Sequence, residues 1–158
     1  MQAGDSVHHP QHGVGQVQSI RKRSFGGQQA AMYAQVHFER DDLTLMLLEE
    51  DLSKTVRRLL TTKEARQVLE ELKQCDGAYD KSWKSRAETD RKALEQGDPL
   101  ECGKVFKRLS RLAAKSDLRQ QDRQHLAQSL ELLSEELAHS LGKTPSQARE
   151  LISEAGAA

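Results

Sequence analysis

The residues best equipped for chemistry in this chain are few. Trp83 is the only tryptophan, with Lys81, Lys84 and Arg86 around it and Arg91 further on. A broad apolar ring beside cations can stack on a nucleobase or wedge against a splayed base step while the cations hold phosphates. The same spacing admits a structural role. Ala87 and Leu94 fall on the helical stripe of Trp83, and large aromatics are highly buried on average. Periodicity leaves both readings open. A second group is His8-His9-Pro10-Gln11-His12. Metal binding would need these imidazoles to converge, yet no cysteine or acidic pair follows at matching spacing. His8 and His9, adjacent on a strand, would point to opposite faces, so no metal site is expected. Cys75 and Cys102 read as small apolar fillers on helices. There is no G-x-S-x-G, no phosphate-binding glycine loop and no H-E-x-x-H, and Gly13-Val14-Gly15 is too short for a nucleotide loop. No enzyme activity, cofactor or small-molecule substrate is expected.

The elements that must hold these residues change character along the chain. In Ala31 to Phe38, the residues Met32, Ala34, Val36 and Phe38 share one parity, and Gln35 and His37 take the other, which predicts a half-buried strand. Val14 to Arg23 is a second strand, preceded by a turn at Pro10 to Gly13. Gly26-Gly27 suggests the hairpin connection between the two. Leu43 to Leu48 is a further strand. Three or four short strands in so few residues predict a small barrel, because closure removes exposed edges.

Beyond about Leu60, glycine becomes scarce and helix formers dominate. Thr61 with Glu64 reads as a capping box. Asp98-Pro99-Leu100-Glu101 combines a capping residue, a proline at the first helical position and a carboxylate three residues on, and Thr144-Pro145-Ser146-Gln147 repeats the arrangement. Apolar residues then recur at helical spacing: Val68, Leu69 and Leu72; Val105, Leu109 and Leu112; Leu126, Leu130, Leu133 and Leu137; Ala148, Leu151 and Ile152. The pattern predicts an α+β chain of two domains, residues 1–60 and 61–158, the second with five helices.

At 158 residues and 17.7 kDa the chain suits one ordinary domain or two small ones. Its 24 basic and 24 acidic side chains cancel, which argues against coating nucleic acid by bulk attraction but permits a local basic patch. Residues 81–92 carry five basic against two acidic side chains, and residues 103–123 carry seven against two. No apolar run approaches the ~20 residues that span a bilayer, and the chain is expected to be soluble and cytoplasmic.

Taken together, the chain resembles the CarD/CdnL family of bacterial transcription regulators. The likeness rests on Gly4-Asp5-Ser6-Val7, Pro10-Gln11-His12-Gly13-Val14-Gly15, Asp42-Leu43-Thr44-Leu45 and Trp83 with its basic neighbours, in that order. It runs from about residue 3 to residue 155, and the tail from Asp122 to Ile152 is most similar to versions from the Deinococcus–Thermus group. The resemblance implies a Tudor-like (SH3-like) barrel that docks on the RNA polymerase β subunit, and a helical domain that reaches promoter DNA at the upstream edge of the transcription bubble. It implies that Trp83 wedges into the minor groove and stabilises the open complex. Lys84 and Arg86 are then the first choices for phosphate contacts, with Lys81 and Arg91 behind them. Arg23 matches a position that touches the β subunit, and Leu45, Met46 and Leu47 match an edge strand that pairs with it. One branch of the family has arginine where this chain has Met46. The competing expectation is a protein–protein adaptor whose barrel binds a partner and whose helices form a spacer without DNA contact.

Overall fold

Alternation of apolar side chains builds the first sheet. The computed structural model describes residues 1–158, and the chain falls into two units, Met1–Leu59 and Leu60–Ala158. In the first, strands β1 (Ser6–His9), β2 (Gly13–Arg23), β3 (Ala31–Phe38), β4 (Leu43–Leu48) and β5 (Arg57–Arg58) form one antiparallel sheet in the order β4-β3-β2-β1-β5. Ala34, Val36 and Phe38 face inward against Val7, Val17, Leu52 and Val56. Met32 shares their parity but remains 43% exposed, because it sits opposite Lys22 near the hairpin end, outside that cluster. Gly15 pairs with Phe38, and a Cβ there would stand 2.6 Å from the Phe38 ring. The glycine is a packing requirement of that ring.

The strands wrap one apolar core as the expected small barrel requires, but no ladder closes it. No ladder joins β4 to β5, so the sheet keeps two edges. The reason lies between those strands: the chain makes a 3-10 turn at Glu49–Asp51 and a single helical turn, α1 (Leu52–Thr55), which leaves only two residues for β5. Leu52 and the following Val56 drop into the core, so the segment covers apolar surface in place of a long closing strand.

Five helices make the second unit: α2 (Thr62–Gln74), α3 (Trp83–Gln96), α4 (Pro99–Ala113), α5 (Gln120–Leu141) and α6 (Pro145–Ala157). The chain thus has six α-helices where the pattern predicts five. The additional one is α1, too short for any periodicity to show. Both capping boxes form: Thr61 Oγ1 accepts from Glu64 N while Thr61 N donates to Glu64, and Thr144 with Gln147 does the same. Asp98 caps α4 by accepting from Leu100 N and Glu101 N, with Pro99 at the first helical position.

The apolar core of this unit draws Ala65, Val68 and Leu72 from α2, Phe106 from α4, Leu133 and Leu137 from α5, and Ala148 and Ile152 from α6. Helix α3 lies outside that cluster and packs on α4 and α5. Its buried face is Arg86, Ala87, Asp90 and Leu94, half of it charged. No helix is long and apolar enough to cross a membrane.

Candidate nucleic-acid interface

Trp83 occupies the first position of α3. The start of that helix is fixed by Ser82, whose side chain accepts from Ser85 N, and by Asp80, whose carboxylate accepts from Ser82 N at 2.9 Å. Hydrogen bonds from Ser85 and then Ser82, with a smaller contribution from the nearby Arg86 charge, hold the Asp80 carboxyl below its ordinary pKa. Ala87, Asp90 and Leu94 continue the stripe that Trp83 begins, and all three are buried. Trp83 is 38% exposed, since it stands at the end of the stripe with no turn before it. The ring is open to solvent and not sealed in the core.

Two cations lie over that ring. The Arg119 guanidinium carbon is 4.5 Å from its centroid and Lys84 Nζ is 5.5 Å away, both within cation–π range. A shallow groove of about 200 Å³ runs beside the indole, lined in part by Ala87, Arg91, Gln121 and His125.

Arg86 does not join them. It is 7% exposed and forks onto Asp122, donating from Nε to Oδ1 at 3.2 Å and from Nη2 to Oδ2 at 2.7 Å. Its Nη1 donates to the Asp80 carbonyl at 2.7 Å. The hydrogen bonds that Arg86 donates to Asp122 raise the guanidinium pKa, so the group stays charged and committed. The expectation that Arg86 holds a phosphate is therefore corrected: burial and a two-pronged carboxylate partner take up its donors. Asp122 is itself 2% exposed in the first turn of α5, so the fork ties the start of α3 to the start of α5.

The other basic side chains sort in the same way. Lys107 is fully buried and donates to the carbonyls of Leu72, Lys73 and Cys75, closing the end of α2. Arg108 donates to Asp90 at 3.0 Å, Arg111 to backbone carbonyls of Asp76 and Ala158, and Arg123 to the Leu118 carbonyl. Arg91 is exposed but shared between Glu88 and Glu95, both at 2.6 Å. Much of the basic excess counted along the sequence thus satisfies internal acceptors. Lys81 and Lys84 are exposed beside Trp83.

In the first unit, Leu45, Met46 and Leu47 lie on β4, which pairs only with β3 and so forms a sheet edge. Leu45 and Leu47 pack on the core, whereas Met46 is 36% exposed on the other face. Arg23 is exposed at the end of β2, opposite Ala31. The histidines divide as strand geometry requires: His8 is buried, and His9 is only partly so. His9 Nδ1 accepts from Gln11 N and His12 N, while His12 Nδ1 lies 2.9 Å from Asp41 Oδ2. Burial, and after it the His12 charge, lowers the His9 pKa. These rings secure the turn between β1 and β2.

Comparison with family models matches residues 67–153, more than half of the chain, to the C-terminal domain of CarD. The chain belongs to the CarD family. Residues 1–60 match the CarD-like/TRCF RID domain, which makes this a transcription-related, RNA-polymerase-interacting protein. Both matched domains are non-catalytic interaction modules. No curated protein matches the chain. Arg119 and Asp122 are the site residues that sequence reasoning misses. The one available signal is at Arg119, where an arginine stands at a helix start in place of the usual Ser, Thr, Asp or Asn.

Proposed function

We propose that this CarD-family protein docks on the RNA polymerase β subunit through residues 1–60 and acts on promoter DNA through residues 61–158. Trp83 wedges into the minor groove at the upstream edge of the transcription bubble and so stabilises the open complex. The observation that carries this reading is the single indole, exposed at a helix start with cations over its ring. Lys84 and Lys81 contact phosphates, with Arg91 a weaker contributor because Glu88 and Glu95 already neutralise it. Docking uses the free edge of β4, where backbone groups add a strand to a partner sheet, Met46 supplies an apolar contact and Arg23 a charged one.

The zero net charge fits this division of labour. Polymerase binding supplies a high effective concentration near the promoter, so intrinsic DNA affinity can be weak. A wedge with phosphate contacts reads deformability more than base edges, so the interaction is largely indifferent to sequence. An adaptor with a helical spacer would bury its one tryptophan, and the exposure of Trp83 favours the wedge.

The test is open-complex lifetime on a promoter with full-length protein and polymerase. Trp83→Ala shortens the lifetime at least about fivefold, the size expected for a lost aromatic–base stack, while co-purification with polymerase persists. An unchanged lifetime with a folded variant removes the wedge.

A further inference from the structure

Two arginines flank Trp83 and differ in what they face. Arg86 follows Trp83 by three residues on α3, and Asp122 follows Arg119 by three residues at the start of α5. The buried Arg86–Asp122 fork therefore fixes both helix starts, one turn in from the two side chains that stack. Arg119 is the residue before α5, a position that favours a small side chain able to accept from the first helical N–H groups. It makes no such cap. Its guanidinium has no carboxylate partner either, unlike those of Arg86, Arg91 and Arg108, and lies instead 4.5 Å from the Trp83 ring centroid. Helix α5 thus lacks a side-chain cap at the point where its leading residue meets the indole.

We propose that Arg119 is a positioning residue for Trp83: stacked on the indole, it holds the ring in one orientation at the start of α3 and keeps a positive charge against it. This rests on the reading that Trp83 contacts promoter DNA. A tryptophan at the first position of a helix has no preceding turn to pack against, so its side-chain torsions are otherwise free on one side. Ordering it only on contact with DNA would weaken the contact, and a guanidinium already stacked on the ring removes part of that cost. Lys84 is a poorer support, being further from the centroid and a flexible point charge rather than a planar stacking group.

Trp83 is the only tryptophan, so its fluorescence reports this stack directly in the full-length protein without polymerase or DNA. Arg119→Gln is expected to increase acrylamide quenching and lower the anisotropy of Trp83, with Arg119→Lys between it and wild type and the far-ultraviolet dichroism of all three alike. Unchanged quenching and anisotropy in Arg119→Gln overturn the proposal. With polymerase and promoter, Arg119→Gln shortens the open-complex lifetime about two- to fivefold, the scale of an exposed cation–π contact. It has no further effect when Trp83 is replaced by alanine. An equal loss in the Trp83→Ala background makes Arg119 an independent DNA contact and overturns the positioning role. Should the fluorescence move as expected while Trp83→Ala itself leaves the lifetime unchanged, the stack stands and the wedge reading alone fails.

Discussion

Arg86 and Trp83 are three residues apart, yet one is committed to the interior and the other is open. A guanidinium presented to solvent gains modest energy from a phosphate, whereas one that forks onto a buried carboxylate cannot be removed without leaving that carboxylate stranded. Arg86→Gln should therefore destabilise residues 60–158 by ~3 kcal/mol in urea unfolding. A phosphate ligand would leave stability unchanged and lower the salt dependence of promoter binding instead. Nothing local in the sequence distinguishes these two fates. Arg86 finds its partner 36 residues away, and periodicity along α3 carries no record of what faces it. Periodicity also leaves the exposure of Trp83 undecided, since the stripe it heads is otherwise buried. Arg119 showed only as an unusual residue at a helix start.

At the level of elements, the parts set by local chemistry were legible and the parts set by distant pairing were not. Capping boxes act over three residues, so Thr61–Glu64 and Thr144–Gln147 could be read directly and both form. The alternation in β3 placed Ala34, Val36 and Phe38 inward, but the pattern could not show that Met32 lies outside the core cluster. No ladder joins β4 to β5, because the 3-10 turn and α1 stand between them, and one helical turn leaves no period to detect.

Helix α3 is joined to its neighbours by charges, Arg86 to Asp122 on α5 and Asp90 to Arg108 on α4, with His125 of α5 also near Asp90. Desolvation raises the Asp90 pKa above its ordinary 3.8, against the opposing pull of Arg108 and His125 and with a small push from Asp122. A carboxyl whose folded pKa is raised contributes stability that is complete below the unfolded value and is lost as pH climbs through the folded one. The stability of wild type relative to Asp90→Asn should thus be greatest under acid and fall as pH rises through the raised value. Urea unfolding across that window checks this, and a relative stability that increases with pH contradicts a burial-dominated Asp90.

For the whole molecule, the proposed function divides between two compact units, one for polymerase and one for promoter DNA. The first presents a sheet edge with an apolar side chain, Met46, where a charged residue would give a different kind of contact. The second presents one indole with cations beside it, while Lys107, Arg108, Arg111 and Arg123 serve internal acceptors. In the proposed function such a surface acts on DNA only when polymerase brings it there, which ties the proposed wedge to docking. Replacing Trp83 with the photo-crosslinking residue p-benzoylphenylalanine tests that central claim most directly, with polymerase and an end-labelled promoter in the open complex. The account predicts crosslinks to DNA at the upstream edge of the bubble, absent without polymerase and lost when Met46→Asp prevents docking. Crosslinks confined to polymerase subunits, or spread evenly along the DNA, would contradict it.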